Sequence, residues 1–257
     1  MCGRFTNKLT WEEIVRLYRI TLDQPPRNTQ ARYNICPTDP VDVVVTDGGK
    51  RRLVPMRWGL IPSRWNKPLK EMKLATFNAR AETVADKPMF RSAFEKTRCL
   101  IPVSGYYEWQ NTPEGKQPYY FTRRDGQPMT FAGLWDNWRD RQSGEVLTSC
   151  TMVITEPNKF AAEIHDRMPV ILEAQDFEQW EKGDAKDAAA LMKPAGNDVL
   201  QRWPVSKRVN SSKAPADDPS LIAIEGSVAT PDEIMAATMT YARELGEFGS
   251  NAQGDES

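Results

Sequence analysis

Two β-prone runs, Val41–Thr46 and Arg52–Leu60, flank Asp47-Gly48-Gly49-Lys50, whose spacing and composition dictate a tight hairpin. The pattern recurs downstream. Arg98–Val103, Tyr106–Gln110, Tyr119–Arg123 and Thr130–Trp135 read as strands at short intervals, with Asp125-Gly126 as the last turn. Val146–Thr155 and Pro169–Leu172 follow as further strands. Such strands lack the long crossover helices that a parallel sheet requires. The expected class is α+β: a single domain with a largely antiparallel, barrel-like β-sheet and a few short flanking helices. The helices are predicted at Trp11–Ile20, Pro88–Lys96, Asn158–Ile164 and Gln175–Lys182, the first with Thr10 and Glu13 spaced as a capping box. Asp23–Ala31, rich in Pro and Asn, reads as loop.

Charge divides the chain. Residues 1–130 carry 22 Lys and Arg against 13 Asp and Glu, a net of +9, whereas residues 131–257 carry a net of −10. Residues 214–257 alone hold nine acids and one base, so residues 1–213 stand at +7. A body of that charge attracts polyanions, although the whole chain has a pI near 6. We therefore expect a domain over 1–213 and an acidic tail over 214–257, with one helix at Pro231–Leu245 and disorder elsewhere in the tail.

Several classes are disfavoured. No apolar run approaches the ~18–20 residues that span a bilayer, and the N-terminus lacks a signal-peptide apolar core. A cytoplasmic protein with no membrane partner is expected, nucleoid-associated if bacterial. The four Cys, at 2, 36, 99 and 150, have no CxxC spacing, and the chain has one His. Neither a disulfide framework nor a metal site is expected, and no cofactor.

Cys2 offers distinctive chemistry. Methionine aminopeptidase removes Met1 before a small second residue, leaving an α-amine of pKa about 7.7–8.0 beside a thiol of pKa about 8.5. Such a 1,2-aminothiol condenses with an aldehyde to a Schiff base, and the thiol then closes a five-membered thiazolidine.

Six motifs accompany it in order: Met1-Cys2-Gly3-Arg4-Phe5; Arg32-Tyr33-Asn34-Ile35-Cys36-Pro37-Thr38; Trp58-Gly59-Leu60-Ile61-Pro62; Phe77-Asn78-Ala79-Arg80-Ala81-Glu82-Thr83; Gly105-Tyr106-Tyr107-Glu108-Trp109; and Ile164-His165-Asp166-Arg167-Met168-Pro169-Val170. Together, from Cys2 to about Asn210, they resemble the SRAP family, the SOS response-associated peptidase-like, abasic-site-processing proteins. The resemblance implies a protein that recognises abasic sites in single-stranded DNA, including those at single-strand/double-strand junctions. It would link to them covalently through its N-terminal Cys, protecting the lesion during the DNA damage response. Lyase-type chemistry and peptidase-like removal of the leading residue would accompany that activity. A monomer is expected.

Carried onto this chain, the resemblance implies Cys2, Asn78, Glu108 and His165 as the catalytic set. Glu108 would help open the sugar and shuttle protons, His165 would assist ring opening and reversal, and Asn78 would fix the amine or the sugar oxygen. Arg4 and Arg80 are expected on phosphates; Trp58, Trp65, Met89 and Trp109 against bases; Asn34, Pro37 and Thr155 at the pocket wall. Cys36 stands where the family often has Ala and is read, like Cys99 and Cys150, as core. The Lys-rich stretch Asn66–Leu74 is read as a loop of variable length. Two other readings compete: a cysteine-type peptidase or amidase using Cys2, and a non-covalent single-strand DNA-binding module.

Overall fold

The computed structural model describes residues 2–23 and 25–225. Its strands are β1 (Phe5–Asn7), β2 (Arg32–Ile35), β3 (Pro40–Asp47), β4 (Lys50–Trp58), β5 (Asn78–Arg80), β6 (Arg98–Val103), β7 (Gly105–Thr112), β8 (Gly115–Arg123), β9 (Met129–Arg139), β10 (Val146–Thr155), β11 (Met168–Pro169) and β12 (Leu200–Pro204). The helices are α1 (Trp11–Tyr18), α2 (Arg91–Lys96), α3 (Lys159–Ala162), α4 (Phe177–Lys182) and α5 (Ala185–Ala190).

The first hairpin forms as its turn chemistry demands. β3 and β4 pair from Pro40↔Arg57 to Asp47↔Lys50, and Gly48 and Gly49 hold φ of 56° and 79°, where a side chain is strained. β4, β3, β6, β9 and β10 follow one another around a sheet that closes when β10 pairs back onto β4. This five-stranded barrel is antiparallel except at the β10–β4 seam. A second, wholly antiparallel sheet has the order β12-β8-β7-β1-β2. The fold is thus a single α+β domain.

Alternation along the barrel strands sorts two cores. Val43, Val45, Ile101, Phe131 and Met152 join Cys2, Phe5, Tyr106 and Phe121 in one cluster. Val44, Leu100, Ala132 and Val153 point the other way, into a cluster with Ile14 and Tyr18 of α1, Phe94 of α2 and Trp180 of α4. Thr10 caps α1 by accepting from Glu13 N, and the Glu13 carboxylate accepts from Thr10 N, the reciprocal box expected. Cys36, Cys99 and Cys150 are buried thiols.

Several elements differ from the sequence expectation. The Pro88–Lys96 helix contracts to α2, and Gln175–Lys182 divides into a short 3-10 turn, Ala174–Asp176, and α4. The strand expected at Pro169–Leu172 shifts to β11, which pairs Ile154↔Pro169 and Thr155↔Met168, and Ile171 bridges Phe131 beyond it. Residues 214–225, where the acidic stretch begins, pack on the body. Ala214 O accepts from Asn34 Nδ2, Leu221 is fully buried, and Val205 bridges Ile224. The helix expected at Pro231–Leu245 and the disorder expected beyond it lie outside the described residues.

Gly105, where β7 begins, has a steric rather than a conformational reason. A Cβ there would sit 2.2 Å from the Tyr120 ring and hydroxyl, and that hydroxyl is held 2.7 Å from Thr6 Oγ1. Tyr120 is buried and has nowhere to move. Gly105→Ala should therefore destabilise by about 3 kcal/mol, the upper end of overpacking. Urea denaturation checks this as a fall in midpoint at constant slope.

Candidate active site

The short strand β1 sits between β2 and β7, which places the N-terminus over the Glu108 strand. Cys2 is buried at 1% exposure and Glu108 at 2%. Burial pushes the Cys2 thiol well above its ordinary range, and the negative charge of the neighbouring Glu108 pushes it further. Burial likewise raises Glu108 to about 7. A carboxyl with that pKa accepts and returns protons with nearly equal ease at neutral pH.

Asn78 reaches the site from the opposite sheet. Its strand β5 runs parallel to β10, with Met152↔Asn78 in register, and its Nδ2 donates to Cys2 O at 3.0 Å. The Asn78 Oδ1 is buried without a partner among the described residues, leaving an acceptor near the amine-bearing end of the chain. His165 leaves the end of α3, with Nε2 3.9 Å from Glu108 Oε2. Its Nδ1 accepts from the Arg167 backbone N–H at 3.1 Å, which assigns the neutral ring's proton to Nε2, on the Glu108 side. Burial lowers the His165 pKa, favouring that neutral form. When protonated, the ring has Asp166 Oδ1 at 3.0 Å from Nδ1. Asp166 and Arg167 are thus residues that the sequence reading passed over, although both stand in the His165 motif. Arg167 also pairs at 2.6 Å with Glu82, which ties this loop to the segment after Arg80.

The four residues expected to form the catalytic set therefore converge, whereas those expected to hold DNA do not form one surface. Arg80 is exposed, two residues from Asn78 on the same face of β5. Arg4 is nearly buried and turned away. Its Nη1 donates to Asn34 Oδ1 at 2.6 Å and to Val209 O at 2.7 Å, and its guanidinium lies 5.7 Å from the Trp109 ring centre. Asn34 is buried in the same knot, and Trp109 Nε1 donates to Asn210 Oδ1. Arg4 and Asn34 thus hold the C-terminal segment against β1 and β2. Trp58 offers no face to a base. It is fully buried, edge-on to Phe5 at 4.9 Å, with Nε1 donating to Phe77 O. Trp65 and Pro37 are half-exposed, Met89 packs on the helix-side core, and Thr155 ends β10 opposite Met168.

A cavity of about 720 Å³, lined by residues that include Arg16, Arg51 and Phe177, holds none of the four catalytic-set residues. Its Arg51 is paired with Glu181, its Glu13 belongs to the α1 cap and its Glu178 pairs with Lys182. The buried ionisable groups gather at Cys2 and Glu108 instead, which makes that place the candidate site.

A family model described as SOS response associated peptidase (SRAP) matches residues 1–212. The chain belongs to the SRAP family. Among its relatives, the abasic site processing protein YoqW of Bacillus subtilis is 36% identical over 217 residues, covering 83% of this chain and 96% of that protein. The abasic site processing protein HMCES of Xenopus tropicalis is 37% identical over 190 residues, 65% of this chain and 56% of that protein. A solved structure of a Bacteroides thetaiotaomicron protein shares the fold with a TM-score of 0.77 at 23% identity, covering 87% of this SRAP chain and 99% of that one.

Proposed function

We propose that this SRAP chain processes abasic sites in single-stranded DNA by trapping the ring-opened sugar aldehyde on Cys2 once Met1 is removed. The observation that carries the reading is the burial of Cys2 with Glu108, with Asn78 donating to Cys2 O and His165 within 3.9 Å of Glu108. The Cys2 amine attacks the aldehyde carbon, and the carbinolamine loses water to give an imine. The thiol then adds across C=N: an S–C bond forms, the π pair moves to nitrogen, and the thiol proton ends there. Glu108, near 7, receives that proton and delivers it. His165 presents Nε2–H toward Glu108, suited to donating a hydrogen bond to the sugar oxygen while the protonated Glu108 carboxyl gives that oxygen its proton as the closed ring opens. Asn78 anchors the Cys2 carbonyl, which fixes the direction of the amine.

Arg80, exposed beside Asn78, serves a flanking phosphate, and the half-exposed Trp65 an unstacked base. A body at +7 gathers the polyanion without reading sequence, as a lesion lacking its base requires. The test is to incubate the Met1-free protein with single-stranded DNA bearing one abasic site, then resolve it under denaturing conditions. A shifted band whose intact mass equals protein plus DNA minus one water is expected. Retention only under native conditions would leave the non-covalent binding module. Turnover of unrelated peptides, with no adduct, would support the peptidase.

A further inference from the structure

Among the described residues, four tyrosines have fully buried side chains, and three of these have hydroxyl partners. Tyr18 lies 2.8 Å from Thr130, Tyr107 donates to Tyr33 O at 2.8 Å, and Tyr120 lies 2.7 Å from Thr6. The fourth, Tyr106, has a buried hydroxyl without a partner among the described residues. Burying such a group costs stability, so folds rarely leave one empty-handed without reason.

Its position supplies the reason. Tyr106 and Glu108 are two apart on β7 and share a face, while Tyr107 between them points into a separate cluster with Val205 and Val209. Tyr106 stands opposite Phe5 of β1, three residues from Cys2, and packs in the same cluster as Cys2. Its ring is held by stacking on Phe121 at 4.8 Å and by an edge contact with Phe131 at 5.8 Å, so the hydroxyl has a fixed place. After burial itself, the influences that most hold its proton on are the negative charges of Cys2 and Glu108. The phenol is therefore always a donor, and the nearby charges to receive its hydrogen bond appear only when the site ionises.

We infer that the Tyr106 hydroxyl is a hydrogen-bond donor held in reserve for the Cys2 thiolate that closes the ring. In the resting site the thiol keeps its proton beside Glu108, so the phenol is idle. As Glu108 takes the proton, sulfur becomes a buried anion with no water to solvate it. The phenol then stabilises it until the S–C bond consumes the charge. No new co-reactant is needed. The proton follows the path through Glu108, and Tyr106 keeps its own.

This inference rests on the reading of Cys2 as the ring-closing thiol, and Tyr106→Phe tests it by removing one oxygen. In Met1-free protein, single-turnover adduct formation should slow about tenfold or more, the size of a lost charge-assisted hydrogen bond. The acid limb of its pH profile should move up by about one unit, which is the same tenfold factor. Affinity for abasic DNA before reaction should stay level, and thermal stability should be equal or higher, because an unsatisfied hydroxyl is gone. A Phe variant with the wild-type rate and profile overturns the inference. So does a slow variant whose stability and DNA affinity fall in step, since that pattern marks packing alone. A readout without DNA separates this from the activity itself: the carbon shift of labelled Cys2 Cβ follows thiol ionisation with pH. If wild type forms no adduct, the proposed function fails, yet a raised Cys2 titration in Tyr106→Phe still upholds the donor. An unchanged titration rejects it.

Discussion

Glu108→Gln should make the protein more stable and nearly inert in adduct formation. Both effects come from one carboxyl. Glu108 is raised to about 7 in the fold by burial, against about 4.3 in an unfolded chain. Between those values the folded protein holds a proton that the unfolded chain has released, so stability falls as pH rises through that window. The loss is complete above about pH 7 and is on the order of 4 kcal/mol, taking 1.36 kcal/mol per unit. Gln keeps the shape and avoids the charge, although it weakens the contact with Cys2. A net gain of about 1–2 kcal/mol at neutral pH is expected, or a Tm raised by about 2–4 °C per kcal/mol. The gain should vanish below about pH 4, where the native carboxyl is neutral in both states. Adduct formation should slow by about 10²–10⁴-fold, the range for loss of a general acid-base group. A destabilised Glu108→Gln with ordinary crosslinking would mean the carboxyl is a structural hydrogen-bond partner and its proton idle. Loss of activity with stability unchanged from acid to neutral pH would instead place its pKa near that of a solvated carboxyl.

The barrel strands were legible because each carries its own evidence: β-branched residues in runs, closed by Gly at turns that need positive φ. Of the strands that build the site, β7 with Glu108 was legible in this way, but the short ones were not. Asn78–Arg80 is polar and three residues long, and becomes β5 only by lying parallel to Met152–Ile154. Phe5–Asn7 and Arg32–Ile35 are strands because they complete an edge for β7, seventy or more residues later. Pairing at such separation is decided by the assembled sheet, not by local propensity. The motif resemblance supplied what local reading lacked, naming Cys2, Asn78, Glu108 and His165, which the fold brings together. It misled where a motif residue serves the scaffold. Arg4 stands two residues after the thiol, but its side chain turns away from the cluster that Cys2 and Phe5 share, onto Asn34 and Val209. Trp58 is likewise a core residue in a motif, and nothing in its neighbours' sequence distinguishes burial from stacking.

Moving the α-amine by one residue should abolish the adduct altogether. Asn78 holds the carbonyl of Cys2, so the backbone there is fixed at 3.0 Å from a side chain on another strand. With Met1 retained, the free amine sits one residue further along the chain, about 3.8 Å in Cα spacing. A misplacement of about 1 Å already costs on the order of 10²-fold in a positioned reaction. Ring size compounds the loss, because sulfur and amine no longer belong to one residue and cannot close a five-membered ring. The Cys2 variants divide the remaining steps. Cys2→Ala keeps an α-amine after Met1 removal, so an imine still forms, but it hydrolyses and leaves no heat-stable band. Cys2→Ser behaves similarly, because the ring that oxygen closes reopens readily, and strand cleavage by β-elimination from the imine should become visible. The wild-type thiol should outrun that cleavage, because it is buried beside the carboxyl proposed to deprotonate it. Borohydride added during the reaction should therefore trap Cys2→Ala and Cys2→Ser on DNA and leave the Met1-retaining form free. A heat-stable adduct from Cys2→Ser without reductant would show that sulfur is not the trap. One from the Met1-retaining form would move the reacting amine away from Cys2, and with it the role of Asn78.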